Sequence, residues 1–191
     1  RHHRHCARDS ALIGRGWVMK HWYMLTLVGQ DRPGIVAALA DALFRAGANL
    51  GEASMVRLGG NFTIMMMAET EMSDASLRHA LEPEIRQFGL HTHIDAIEGK
   101  LHQHLTPNVQ VTVHGADRPG IVAQVTAALA AAGFNILDLD SDVGGSSEHP
   151  IYVMAIDGHV AGGASALDKP LAALRANGID AKAVSIDTLV G

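Results

Sequence analysis

The sequence lacks the features that mark secreted, membrane-spanning or nucleic-acid-binding proteins. Cys6 is the one cysteine, so no disulfide forms within the chain, as expected in the cytoplasm. No apolar run approaches the roughly 20 residues that span a bilayer, and the N-terminus has no apolar signal-peptide core. Lys and Arg number 15 against 20 Asp and Glu, a formal net charge of −5 at pH 7, whereas a general nucleic-acid binder carries a basic surface. We therefore expect a cytoplasmic protein that contacts neither membranes nor nucleic acid directly.

Sequence motifs of catalysis are also missing. There is no Walker loop, no GxGxxG and no nucleophile and base at a family-specific spacing. The His-rich residues 2–6 have metal-ligand side chains, but such termini usually bind metals opportunistically. His91 with His93, and His102 with His104, are better interpreted as surface histidines. We expect no enzyme activity, no cofactor and no metal site.

Three aspartates, Asp138, Asp140 and Asp142, alternate along one extended segment and so project from one side of it. The EF-hand calcium pattern fails here, because Val143 stands where glycine is required and His149 where glutamate is required. The alternation instead predicts a solvated acidic face or a surface on which a partner docks.

An internal duplication accounts for most of the chain. Residues 24–52 align without a gap with residues 110–138, and the heptapeptide DRPGIVA is identical in both copies. A Gly-x-Asn follows at the same position in each copy. A polar stretch between the copies would suit a linker. The resulting organisation is an N-terminal extension or expression remnant at 1–18 ahead of a start at Met19, a domain at 19–98, a linker at 99–108 and a domain at 109–191.

Each copy has the periodicities of a strand, a helix, two strands, a helix and a strand. In the first copy the predicted strands are 23–28, 50–58, 62–69 and 91–97, and the predicted helices are one from Ile35 that ends at Gly47 and one at 77–88. In the second copy the predicted strands are 109–114, 136–143, 151–157 and 180–186, and the predicted helices are one from Ile121 that ends at Gly133 and one at 167–174. Pro83 and Pro170 predict a kink or a late start in the second helices. This order predicts an α+β protein of two ferredoxin-like βαββαβ domains, with antiparallel sheets and helices on one face. The other sheet face is not uniformly polar, so we expect the other repeat or a second subunit to cover it.

A glycine-ended first strand, Asp-Arg-Pro-Gly-Ile-Val opening a helix, and Gly-x-Asn entering the second strand resemble the ACT regulatory domain. The pattern occurs twice and accounts for residues 23–189, an arrangement that resembles the glycine cleavage system transcriptional repressor family. The resemblance implies a non-catalytic regulator that binds a small amino acid, glycine or serine. It also implies a homodimer that acts through a protein partner, such as a transcription regulator, and does not read DNA itself.

Loop chemistry and the resemblance together indicate one ligand-binding set in each copy. The sets are Asp31, Arg32, Pro33, Gly34, Ile35 and Asn49, and Asp117, Arg118, Pro119, Gly120, Ile121 and Asn135. A helix N-terminus with free amides suits the carboxylate of an amino acid, and glycine allows a ligand to approach the backbone. An asparagine next to this turn would bind the carboxylate or the ammonium group.

The same loop residues also have a purely structural interpretation. Capping of the helix is the favoured role for Asp31 and Asp117, and proline and glycine are common turn residues. The arginines Arg32 and Arg118 are expected in solvent or at an interface. Phe134 in the second copy replaces an alanine, so one of the two sites is expected to have degenerated or changed specificity.

Two other functions stay open at this point. The chain would be a constitutive oligomerisation adaptor if its ligand loops were vestigial. It would otherwise be a regulatory relative of formyltetrahydrofolate deformylase, although no residues remain for a catalytic domain.

Overall fold

A computed structural model describes residues 19–99, 105–116 and 119–187. Residues 1–18 lie outside the described residues, as do Asp117, Arg118, His102 and His104. The chain divides into two compact units. The proposed domain bounds and the linker at 99–108 remain predictions.

Both units have the same six elements in the same order. The first contains β1 (His21–Gln30), α1 (Ile35–Arg45), β2 (Asn49–Leu58), β3 (Asn61–Thr70), α2 (Asp74–Phe88) and β4 (His91–Ile97). The second contains β5 (Val109–Ala116), α3 (Ile121–Ala131), β6 (Asn135–Gly145), β7 (Pro150–His159), a 3-10 turn (Ala164–Leu167), α4 (Asp168–Ala176) and β8 (Asp180–Ser185). The antiparallel sheets have the orders β2-β3-β1-β4 and β6-β7-β5-β8. Two tandem ferredoxin-like βαββαβ domains are thus confirmed.

One face of each sheet packs against the helices of its own unit. Tyr23, Leu25 and Leu27 alternate along β1 and are buried, as the period of two along a strand requires. Opposite them, α1 contributes Leu39 and Leu43 at helical spacing to the same core. The second unit builds an equivalent but separate core. Each unit therefore has its own hydrophobic interior.

Left-handed glycines end the first helix of each unit, as predicted. Gly47 and Gly133 have φ of 76° and 77°. The N–H of Ala48 donates to the Leu43 carbonyl at 3.0 Å, which is the hydrogen bond of a Schellman cap that spans more residues along the chain. Gly59 and Gly60 also have positive φ, 58° and 75°, which forms the tight two-residue turn between β2 and β3. These turns return the chain to the sheet without strain.

The two prolines expected to disturb helices have different outcomes. α2 runs through Pro83 without ending, and Ser73 caps its start by accepting a hydrogen bond from the Ser76 N–H at 3.2 Å. α4 begins only at Asp168, so Pro170 lies in its first turn, where a missing N–H costs nothing. The late start is confirmed for α4, whereas Pro83 does not shorten α2.

An ion-pair network connects the two helices of the first unit. Arg45 of α1 donates to Asp41 at 2.8 Å and to Glu84 of α2 at 3.2 Å. The hydrogen bond and charge of Asp41, and then those of Glu84, raise the pKa of Arg45. Glu84 is only 8% exposed, so Arg45 is the cation that compensates this buried carboxylate.

The second core predicts a strict size limit at Gly158 in β7. A methyl group there would lie 2.4 Å from the Phe134 ring, whereas at Gly144 in β6 it would meet nothing within 4 Å. We expect Gly158→Ala to lower the free energy of unfolding by about 1–3 kcal/mol through overpacking. Gly144→Ala, the matched control, should change it by less than about 0.5 kcal/mol. Urea unfolding followed by circular dichroism measures both, and equal stability of the two variants would contradict this packing.

Candidate functional site

The loop between β1 and α1 leaves the start of the helix open. Gly34 precedes α1 with a left-handed φ of 88°, and no side chain caps the helix. The N–H groups of a first helical turn have no partner within the helix, and the helix dipole makes this end positive. α3 starts in the same way after Gly120, whose φ is 85°. By contrast, a serine caps α2. α4 also has no side-chain cap, but Leu167 of the preceding 3-10 turn occupies its N-cap position with a right-handed backbone. Among the described α-helices, an uncapped start after a left-handed glycine is found in α1 and α3.

Asp31 does not cap α1, so the capping prediction is wrong for this residue. Arg32 and Pro33 separate it from Gly34, which occupies the N-cap position. The Asp31 carboxylate instead accepts a hydrogen bond from Arg57 of β2 at 2.6 Å, and its N–H donates to the Gly60 carbonyl at 3.1 Å. Asp31 thus connects the loop to the β2–β3 hairpin. The predicted capping role of Asp117 stays a prediction, because this residue lies outside the described part of the chain.

Arg32 is directed to the C-terminal end of α2. Its guanidinium donates to the Gln87 carbonyl at 2.9 Å and lies 5.4 Å from the centre of the Phe88 ring. A cation at this distance over an aromatic face is attracted to it. These contacts hold the Arg32 side chain against α2, and its role toward a ligand stays a prediction.

An open cleft of about 430 Å³ lies beside the first loop. Residues 31–37 form one side, and Met55, Arg57 and Phe62 of the hairpin complete it. Small-molecule sites typically have about 300–1,000 Å³, so the cleft has room for a small amino acid. The hairpin residues of this cleft were not predicted from the sequence. The signal was the alternation of β2, which places Met55 and Arg57 on the helix side of the sheet.

Within one unit, the structure does not bring Asn49 to the DRPG loop. Asn49 pairs with Glu69, which lies opposite Trp22 near the start of β1, whereas the loop follows Gln30 at the other end. Trp22 and Gln30 are eight positions apart, about 26 Å at 3.3 Å per residue. The expected place of the asparagine next to the turn is thus wrong for a single unit, because α1 carries the chain back along β1 before β2 begins.

Asn135 has the equivalent position in the second unit. It pairs with His159, at the end of the sheet where β5 begins, and β5 ends at Ala116, just before the second loop. Pro119, Gly120 and Ile121 form the described part of that loop. Neither asparagine is therefore near the loop of its own unit.

The two hairpins differ at the residue that contacts the loop. β1 and β3 pair at Gln30 with Asn61, and β5 and β7 pair at Ala116 with Ile151. Counting from these pairs makes Val143 the equivalent of Arg57. Val143 is 51% exposed and carries no charge. The second hairpin therefore offers no cation where the first holds Arg57.

Other candidate sites gain little from the structure. Among residues 19–99, 105–116 and 119–187, no three His, Cys, Asp or Glu side chains are arranged to hold a metal ion. His93 lies 3.1 Å from Asp95 in an exposed pair. Asp138, Asp140 and Asp142 are all exposed on β6. No helix within the same residues has the length and apolar character needed to cross a bilayer.

Comparison with protein families gives two matches to the ACT domain, at residues 21–95 and at residues 109–178. The UPF0237 protein YjhC of Lactococcus lactis subsp. lactis (strain IL1403) is 36% identical over 83 residues, 42% of this chain and 95% of that protein. The glycine cleavage system transcriptional repressor of Escherichia coli (strain K12) is 26% identical over 123 residues, 64% of this chain and 65% of the repressor.

Solved structures support the fold. A protein from Galdieria sulphuraria has a TM-score of 0.70 at 24% identity, covering 88% of this chain and 100% of its own. A crystal structure assigned to a glycine cleavage system transcriptional repressor has a TM-score of 0.68 at 21% identity, covering 89% of this chain and 99% of its own. At this level of identity the likeness concerns the fold alone.

The left-handed backbone at Gly34 can be tested by substitution. A Cβ there meets nothing within 4 Å, so any cost comes from the positive φ of 88° and not from a clash. We expect Gly34→Val to lower the free energy of unfolding of the first unit by about 1–3 kcal/mol. Gly34→Asn should cost less, because asparagine tolerates this region. Urea unfolding of both variants measures the difference, and equal losses would indicate a cause other than φ.

Proposed function

Because the chain belongs to the ACT domain family and carries two such domains in tandem, we propose that it is a non-catalytic regulator that binds a small amino acid. Binding would change its affinity for a protein partner, such as a transcription regulator. The observation that carries this proposal is the uncapped start of α1 beside the 430 Å³ cleft. The similarity to the glycine cleavage system transcriptional repressor supports a regulatory role and makes glycine or serine the first ligands to test.

The chemistry of the first loop suits a free amino acid. The N–H groups that open α1 would bind the ligand carboxylate, and Gly34 has no side chain to obstruct it. Arg57 has five N–H donors in a planar fork, so it can hold Asp31 and a ligand carboxylate together. The Asp31 carboxylate is available to the ligand ammonium group. One loop thus presents both charges that an amino acid requires.

Asn49 would complete the site from a second copy of the chain. β2 is an edge strand and is exposed along its whole length. Antiparallel pairing of β2 with the β2 of another copy places the start of one strand beside the end of the other. Asn49 of one copy would then lie near Arg57 and Gly34 of its partner. This arrangement fits the expected homodimer and ligand binding at an interface between ACT domains.

The first loop is the working site in this proposal. Val143 replaces Arg57 in the second unit, so that loop has lost one donor for a carboxylate. A single functional loop per chain would give a stoichiometry of one amino acid per chain.

The first test is thermal unfolding of the full chain with each of the twenty amino acids. A ligand at about 100 times its Kd stabilises the native state by about 2.7 kcal/mol, which raises Tm by several degrees. We expect a rise with glycine or serine in the wild type and no rise in Arg57→Val. Val143→Arg, the matched control in the second unit, should keep the rise. No rise with any amino acid would contradict the sensor and favour a constitutive adaptor.

A mixing experiment tests the contribution of Asn49. We expect Asn49→Ala and Arg57→Val each to abolish amino-acid binding in calorimetry, whereas Asn135→Ala should not. In a mixed dimer of the two inactive variants, one composite site would keep both wild-type residues. Random mixing would therefore restore about a quarter of the wild-type sites. No restoration in mixtures shown by mass spectrometry to contain mixed dimers would mean that Asn49 does not act across copies.

A further inference from the structure

The sheet face that points away from the helices differs between the two units. In the first unit several positions of this face are apolar, and in the second unit polar residues stand at the same positions. The pairs are Met24 and Gln110, Val28 and His114, Val56 and Asp142, and Met67 and Asp157. The strand order of this face is common to both units, so the two faces differ in their side chains and not in their topology.

Four exposed apolar side chains of the first unit lie near one another on this face. Val28 and Val56 flank Thr63 across three adjacent strands, and Met65 follows on β3 in the next row. Val28 is 37%, Met65 46%, Val56 57% and Leu58 75% exposed. We call these four residues the outer patch. Single exposed apolar side chains need no explanation, but a contiguous group marks a contact surface.

The far end of the same face is closed by Trp22. A Cβ on Gly51 would lie 2.9 Å from the Trp22 ring, so glycine is what allows the indole to lie over β2. Met67 beside it is only 8% exposed. The edge strand β4 places His91, His93 and Asp95 on this face as a polar rim. The patch therefore has a closed end, a polar border and an open apolar centre.

The size of the face fits a modest protein interface. Four strands about 4.8 Å apart and about eight residues long at 3.3 Å each span about 500 Å². Two such faces in contact would bury about 1,000 Å², the lower end of the range for specific interfaces. The association should therefore depend on protein concentration.

The acidic face of the second unit does not complement the outer patch. Asp138, Asp140, Asp142 and Asp157 share that face, where Gln110 donates to Asp157 at 2.9 Å. An apolar sheet packed on these carboxylates would remove their water without supplying cations, which is costly. Two acidic faces would repel each other. A second outer patch avoids the cost of burying these carboxylates, so it is the favoured surface for the outer patch to pack on.

We propose that the outer patches of two copies pack against each other, sheet on sheet, about a twofold axis. This interface goes beyond the proposed amino-acid site and is separate from the β2 edge. Edge pairing uses backbone groups in the plane of the sheet, whereas the outer patch uses side chains above it. Where both contacts form, four chains assemble, and loss of the outer patch leaves two.

Sedimentation velocity of the full chain over a range of concentrations tests the interface. We expect Met65→Asp to halve the mass of the largest species, because it buries a charge in the patch. Ile151→Asp is the matched control: Ile151 is 47% exposed on the outward face of the second unit, against 46% for Met65. It should leave the mass unchanged. A wild type that stays a single chain, or a Met65→Asp variant with the wild-type mass, overturns the proposal.

A second variant protects the test against misfolding. Met24→Gln with Val28→His introduces residues that the second unit already carries at the same sheet positions, on the central strand and away from the β2 edge. It should also halve the mass, with a far-UV circular dichroism spectrum like the wild type. The amino-acid-induced rise in Tm should persist in this variant. If the variant keeps both the rise in Tm and the wild-type mass, the proposed interface is overturned and the amino-acid sensor is not. If the wild type itself shows no rise in Tm, the amino-acid sensor is contradicted.

Discussion

The candidate site depends on one backbone constraint, the left-handed glycine directly before the first helix of each unit. Gly34 and Gly120 turn the chain so sharply that no side chain reaches the helix start. The aspartate of the same loop is thereby free to pair with the hairpin. An uncapped helix end costs stability, and a protein usually avoids that cost with a serine or aspartate. The repetition of this omission in both units is the physical reason to place a ligand there.

Most of the fold could be predicted because its signals are local. Strand alternation, helical spacing and left-handed glycines each depend on residues close in sequence, and the repeat allowed every element to be checked against a second copy. Pro83 did not delay the start of α2, which begins at Asp74 and runs through the proline, since a helix packed on a core tolerates one missing hydrogen bond. Pro170 behaved as expected because it falls in a first turn.

The candidate site was harder to predict because it depends on contacts between distant segments. Asp31 looked like a cap by residue type, but its partner is Arg57, 26 residues away. Asn49 follows the loop by only 15 positions, yet the helix between them carries it to the other end of the sheet. Sequence spacing alone could not show either relation. The repeat nevertheless pointed to the DRPG loops, the first of which borders the cleft.

The acidic strand β6 has a consequence for how far assembly can proceed. β6, like β2, is an exposed edge of its sheet, and exposed edges invite pairing with further chains. A chain with two equally adhesive units would link its neighbours on both sides and grow into a fibre. Asp138, Asp140 and Asp142 place like charges along the second edge, which opposes its self-pairing. These carboxylates disfavour growth through the second unit, so the duplicated domain favours a complex of limited size over a polymer.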